Sequence, residues 1–244
     1  MLKTLDGALA LLTRFTLREP TWGVRELAKE TGTHHAVVHR VLATFAANGF
    51  LTQDAAGRYS LGMRLFELGQ VAHRTFAPSD VVQPALDALA HESGETVFLS
   101  FIDGAEGVCT DMAQSRQQLR FSIELGQRFG LVAGAHAKAI LAFQSDAVRA
   151  AVYREAGLLD TNTADIEARL ATVRADGFSH TSEEAAATVG GLALPLWSRD
   201  RTRVIGSLAI AGPAQRLAGE AIPRLLDEMK KARDVIEPVV GLTR

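Results

Sequence analysis

"TGTHHAVVHRVLATFAANGFL", residues 31–51, holds three histidines and, directly after the third, the one arginine of the stretch. Val38, Val41, Leu42 and Phe45 recur at helical spacing, which predicts a helix with these four turned to a core. Thr33 stands where an N-cap belongs, and Asn48-Gly49 closes the run. His35, Ala36, His39 and Arg40 then fall on the outer side, with His34 and Val37 near the helix start. Such a group suits a metal site, a catalytic cluster, or a solvated face that touches something acidic.

The flanks favour the last of these. Leu5, Ala8, Leu9, Leu11, Leu12 and Phe15 predict a helix over 3–17, ended by Glu19-Pro20. "TWGVRELAKETG" (21–32) reads as a second, short helix stopped by Gly32. After the third helix, "FLTQDAAGRYSLG" (50–62) gives two strand-like runs, 50–53 and 58–61, about a turn at 54–57. Three helices and a hairpin make a winged helix-turn-helix, placed at residues 1–61. Its third helix enters the DNA major groove with its N-terminal residues leading. Arg25, Thr33, His34, His35, Val37, His39, Arg40, Thr44 and Arg58 are the candidate contacts to double-stranded DNA. His35 and His39 have a spacing used for zinc, but no third ligand lies nearby in sequence, so no metal is assigned.

Residues 62–77, "GMRLFELGQVAHRTFA", predict a fourth helix, with Pro78 ending a linker over 62–78. Its apolar positions, including Leu65, Phe66, Leu68 and Val71, suit a dimer contact or packing within the chain. From 79 to 244 helices alternate with strands in hairpins, which predicts an α+β domain with an antiparallel sheet. "QLRFSIEL" (118–125) is read as one of its strands, and "GAHAKAILAFQ" (134–144) as one of its helices.

The net charge of −2 by itself speaks against a nucleic-acid binder, but the average hides a split. Residues 1–75 carry nine Lys and Arg against six Asp and Glu, while 76–244 carry seventeen against twenty-two. This asymmetry hints at a basic contact module attached to an acidic domain, although many enzymes share such an imbalance. The lone Cys109 cannot form an internal disulfide, no apolar run reaches membrane-span length, and Met1 leads into an amphipathic pattern without a signal peptide. A cytoplasmic protein is expected. No GxSxG, P-loop or strand-borne GxGxxG occurs, and no cofactor is implied. Cys109 in mid-strand reads as structural, and Glu183-Glu184 as loop carboxylates. Lys138 is open to a surface role, and His136 to either a core place or ligand contact.

Several stretches together resemble the IclR-type bacterial transcription regulators: "HRVLATFAANGFL", "GRYSLGMRLFELG", "AKAILA", "GFSHTSEE", "LALPLW" and "IGSLAIAGP", in order across more than 200 residues. The resemblance implies a GAF-like effector domain over 79–244, dimers that pair into tetramers, and palindromic operators. Departures matter. Where the family often has a Lys-Ser-Thr run, this chain has His35, Ala36 and Val37, so the operator cannot be borrowed from relatives. Members that bind small oxoacids carry polar groups where Thr181, Ala209 and Ala211 stand here. The expected effector pocket is framed by Leu119, Phe121, Phe129, Gly134, Ala135, His136, Thr181, Gly191, Ala193, Ala209 and Ala211. Mostly small or apolar, it suits a carboxylic acid with an apolar or aromatic body, the signal for a catabolic operon. Alternatively, a neighbouring helix packs against Ala209 and Ala211. A metabolite sensor whose winged helix contacts protein, or an enzyme, are the other functional readings.

Overall fold

The computed structural model describes residues 2–77, 79–158 and 163–240. The chain forms two compact units, Met1–Ala72 and His73–Arg244.

In the first unit, α1 (Lys3–Leu12), β1 (Thr21–Trp22), α2 (Val24–Thr31) and α3 (His35–Ala47) precede a hairpin of β2 (Leu51–Gln53) and β3 (Tyr59–Leu61). The first helix is five residues shorter than its apolar pattern. After Thr13 the chain bends so that Phe15 joins the core and Arg14 offers its carbonyl to Trp22 Nε1 at 3.0 Å. That bond fixes β1, which pairs with β3 and makes the sheet three-stranded, in the order β1-β3-β2. The "TW" of the second expected helix is therefore strand. Leu11, Trp22, Leu27, Val38, Leu42, Leu51 and Tyr59 form one core.

The turn between α2 and α3 departs from expectation by one residue. Gly32 takes the left-handed φ of 63° that ends α2. The cap of α3 is His34, not Thr33: its ring Nδ1 accepts from the Ala36 N–H at 3.4 Å, while the Thr33 hydroxyl turns back to the Thr31 carbonyl.

Helix α4 (Met63–Phe76) follows; the expected stop at Pro78 lies outside the described residues. The second unit then runs α5 (Ser79–Ser93), β4 (Thr96–Asp103), β5 (Glu106–Ala113), β6 (Arg128–Gly130), α6 (Ala135–Leu141), α7 (Asp146–Glu155), α8 (Ala164–Asp176), β7 (Ser179–Ser182), β8 (Val189–Trp197), β9 (Val204–Pro213), a 3-10 turn (Ala214–Leu217) and α9 (Ala221–Ile236). Its sheet is antiparallel in the order β6-β5-β4-β9-β8-β7. Helices α5 and α9 cover one face through Leu86, Leu99, Leu208, Leu225 and Met229. Helix α6 covers the other, and α7 and α8 pack outside it around Ile140, Leu141, Val152 and Leu170. Both faces being covered explains why β4 and β9 are apolar without alternation.

The segment 118–125 is not a strand. Its alternation is real, but Arg128–Gly130 pairs with β5 at that edge instead. The segment is held by single bonds: Thr96 Oγ1 donates to the Phe121 carbonyl at 2.7 Å, and Arg216 Nη2 to the Leu119 carbonyl at 2.7 Å.

Candidate functional sites

The α3 face is built by its own periodicity. Val38 and Leu42 are fully buried, which turns His35, Val37, His39, Arg40 and Thr44 outward. The His34 and His35 rings lie 4.8 Å apart at the exposed N-terminal end. Thr44 gives its hydroxyl to the Arg40 carbonyl at 2.7 Å, so its donor is spent within the helix. Arg25 is exposed on α2, and Thr33 is half-buried in the turn. Among the described residues no group of three or more His, Cys, Asp or Glu is arranged to hold a metal.

Arg58 is placed differently from the free wing cation the sequence suggests. Its Nε and Nη2 donate to the Thr21 hydroxyl and carbonyl at 3.2 and 2.9 Å, and Nη1 meets Glu26 Oε2 at 3.1 Å. The guanidinium braces the wing against β1 and α2. The wing turn itself is set by Asp54, whose Oδ1 accepts from the Ala56 and Arg58 N–H groups.

In the second unit, sheet register gathers the expected effector residues. Thr181, Gly191, Ala211 and Thr96 form one cross-strand row; Ser179, Ala193, Ala209 and Phe98 form the next. Both rows face α6, where Ala135 and Ala139 meet Ala193, Ala209 and Ala211. The small strand residues thus let the helix approach closely: a Cβ on Gly191 would stand 3.1 Å from that of Ala135. Gly134, at φ 90°, turns the chain into this helix. At its start an aromatic group collects. His136 meets Phe129 and Phe98 edge-on, with centroids 4.3 and 5.3 Å away, and Phe98 stacks on Phe121 at 6.0 Å. Burial among these rings pushes the His136 imidazole down to about 4, so it is neutral near pH 7. Leu119 does not join them. Its side chain is 71% exposed, because 118–125 is a loop anchored by Arg216.

Cys109 is fully buried beside this cluster, and burial with the nearby Asp111 carboxylate pushes its thiol up to about 12. It is no nucleophile near neutral pH. Lys138 is not a surface cation. It is 3% exposed and its ammonium is bonded to Glu184 Oε2, which also meets Arg169 Nη1 at 3.2 Å. The sequence offers no sign of this trio, since Lys138 and Glu184 stand 46 residues apart.

A winged helix-turn-helix with an exposed third helix, and an α+β unit with a cluster of rings under a short helix, define a DNA-binding regulator with an effector domain. Comparison with known proteins names the kind. Residues 4–55 match the IclR helix-turn-helix domain and residues 79–237 the bacterial transcriptional regulator IclR C-terminal domain. The chain is 29% identical over 247 residues to the HTH-type transcriptional regulator KipR of Bacillus subtilis, covering 99% of this chain and 98% of that one. A crystal structure of an IclR-type regulator from Silicibacter sp. TM1040 superposes with a TM-score of 0.82 at 26% identity, over 99% and 98% of the two chains. An IclR homologue from Microbacterium hydrocarbonoxydans, crystallised with 4-hydroxybenzoate, shares the fold with a TM-score of 0.82 at 20% identity, over 98% and 100%. The chain belongs to the IclR family of bacterial transcription regulators. Its relatives are regulators of transcription, not enzymes.

Proposed function

We propose that this regulator reads a palindromic operator as a homodimer, or a dimer of dimers, and answers to a carboxylic acid with an aromatic or apolar body. Residues 1–61 bind DNA, 62–78 link, and 79–244 sense. On α3, His35, Val37, His39 and Arg40 meet base edges, while His34, Thr33 and Thr44 stand beside the backbone with Arg25 on phosphate; Arg58 acts by holding the wing. Self-association is supported by exposed apolar side chains: Leu5 and Leu9 on α1, and Met63, Phe66 and Val71 on α4. No helix among the described residues is long and apolar enough to cross a membrane, and a regulator of transcription works beside cytoplasmic DNA.

The observation that carries the effector reading is the ring cluster Phe98, Phe121, Phe129 and His136 above the small surface of Ala193, Ala209, Ala211 and Gly191. Rings prefer offset or edge-on neighbours, so an aromatic acid finds partners there. Thr181, 8% exposed at the end of the first row, supplies one hydroxyl to orient it. The fold itself accepts such a ligand in the Microbacterium protein. A catabolic operon for aromatic acids is the matching target. The test is calorimetry with benzoate and 4-hydroxybenzoate against glyoxylate and pyruvate. The aromatic acids bind at least about tenfold more tightly, a difference near 1.4 kcal/mol. Phe121→Ala, which removes a ring from the cluster, weakens that binding about tenfold and leaves operator affinity in place. A preference for the oxoacids, or unchanged affinity in Phe121→Ala, contradicts the assignment.

A further inference from the structure

At the β7 edge of the second unit lies a cavity of about 430 Å³, a size usual for small-ligand sites. It shares no lining residue with the ring cluster. Lys138 of α6, Arg169 and Val173 of α8, and Ser179 of β7 line it, with Glu184 across from the two cations. An ammonium carries three donors. Buried Lys138 has one side-chain acceptor among the described residues, Glu184 Oε2, and shares that oxygen with Arg169. Ser179 is 1% exposed, faces the α6 side in the row with Ala193, and its Oγ has no hydrogen-bond partner. Two unused N–H groups of a buried cation and an orphan hydroxyl on one cavity are costly unless something fills it.

We propose that this cavity is a second ligand site, built for a small hydroxycarboxylate monoanion. The carboxylate sits on Lys138 and Arg169, easing the load on Glu184. The ligand hydroxyl pairs with Ser179 Oγ, and a short apolar body lies against Val173 and Phe178. Asp176, also on the lining, opposes a second negative charge and so disfavours dicarboxylates. His180 holds the wall by its bond to the Leu217 carbonyl at 2.9 Å. The site is independent of the effector reading above, and either could stand without the other.

The test is calorimetry of the full-length protein with lactate and 3-hydroxybutyrate, set against butyrate and succinate. At least one hydroxy acid binds, and binds about tenfold more tightly than butyrate or succinate. Ser179→Ala, whose lost hydroxyl had no partner, leaves the free protein's Tm unchanged and erases the advantage over butyrate. Arg169→Ala, a change at an exposed side chain, weakens binding about tenfold. Phe121→Ala, which removes a ring of the cluster and lies outside the cavity lining, does not alter it. The proposal is overturned if neither hydroxy acid binds, if succinate binds as well as they do, or if Ser179→Ala and Arg169→Ala bind like the wild type. It is also overturned if Phe121→Ala abolishes the binding, because the ligand then occupies the ring cluster.

Discussion

His136 shows how one residue's surroundings become a measurable property. Enclosed by Phe98 and Phe129, it stays neutral in the fold down to about pH 4. In the unfolded chain a histidine takes up its proton near its ordinary value of about 6.5. The unfolded state therefore binds more protons between the two values. His136 adds nothing unfavourable above about pH 6.5, and the fold loses stability as pH falls from there toward 4, by on the order of 3 kcal/mol. Urea unfolding at pH 7 and pH 4.5 reads this directly. His136→Phe narrows the difference between the two pH values; an equal difference in both proteins would mean that the imidazole titrates normally. Arg58 shows the same dependence on neighbours. Its residue type announces a phosphate contact, yet Thr21 and Glu26 claim its donors.

Elements differ in how far the sequence declares them. Helix α3 is written in its own periodicity: Val38 and Leu42 point one way and His35, His39 and Arg40 the other, so the outward-facing set is legible without tertiary knowledge. The rows under α6 are legible only in composition. Small residues at Gly191, Ala193, Ala209 and Ala211 signal either ligand space or a close helix, and the register of β7, β8 and β9 brings α6 against them. Gly191→Val tests that closeness. A larger side chain there must displace Ala135, and the loss of stability in denaturant unfolding is about 1–3 kcal/mol. No loss would show that α6 stands off the sheet. What stays hidden depends on partners far along the chain. The 118–125 run alternates like a strand but finds its edge taken by β6. Lys138 and Glu184 read as loop and surface charges until β7 carries Glu184 to α6. The shift of the α3 cap from Thr33 to His34 is of another kind, one residue of turn geometry that either side chain could serve.

At the scale of the whole molecule, the exposed apolar side chains and the split in charge lead to separate expectations. Met63, Phe66 and Val71 leave α4 with an apolar surface that a second copy can cover. Sedimentation of Phe66→Glu shows a shift toward monomer relative to the wild type, and an unchanged profile removes α4 from the interface. The basic bias of residues 1–75 makes operator binding weaken as salt rises. The most direct test of the account is fluorescence anisotropy of the full-length protein on its own upstream DNA and on unrelated DNA, at physiological salt, with and without Arg40→Ala. The wild type binds the upstream sequence preferentially, and Arg40→Ala loses about 1–3 kcal/mol with relaxed preference. Equal affinity and equal preference in the two proteins would contradict the assignment of α3 as the helix that reads DNA.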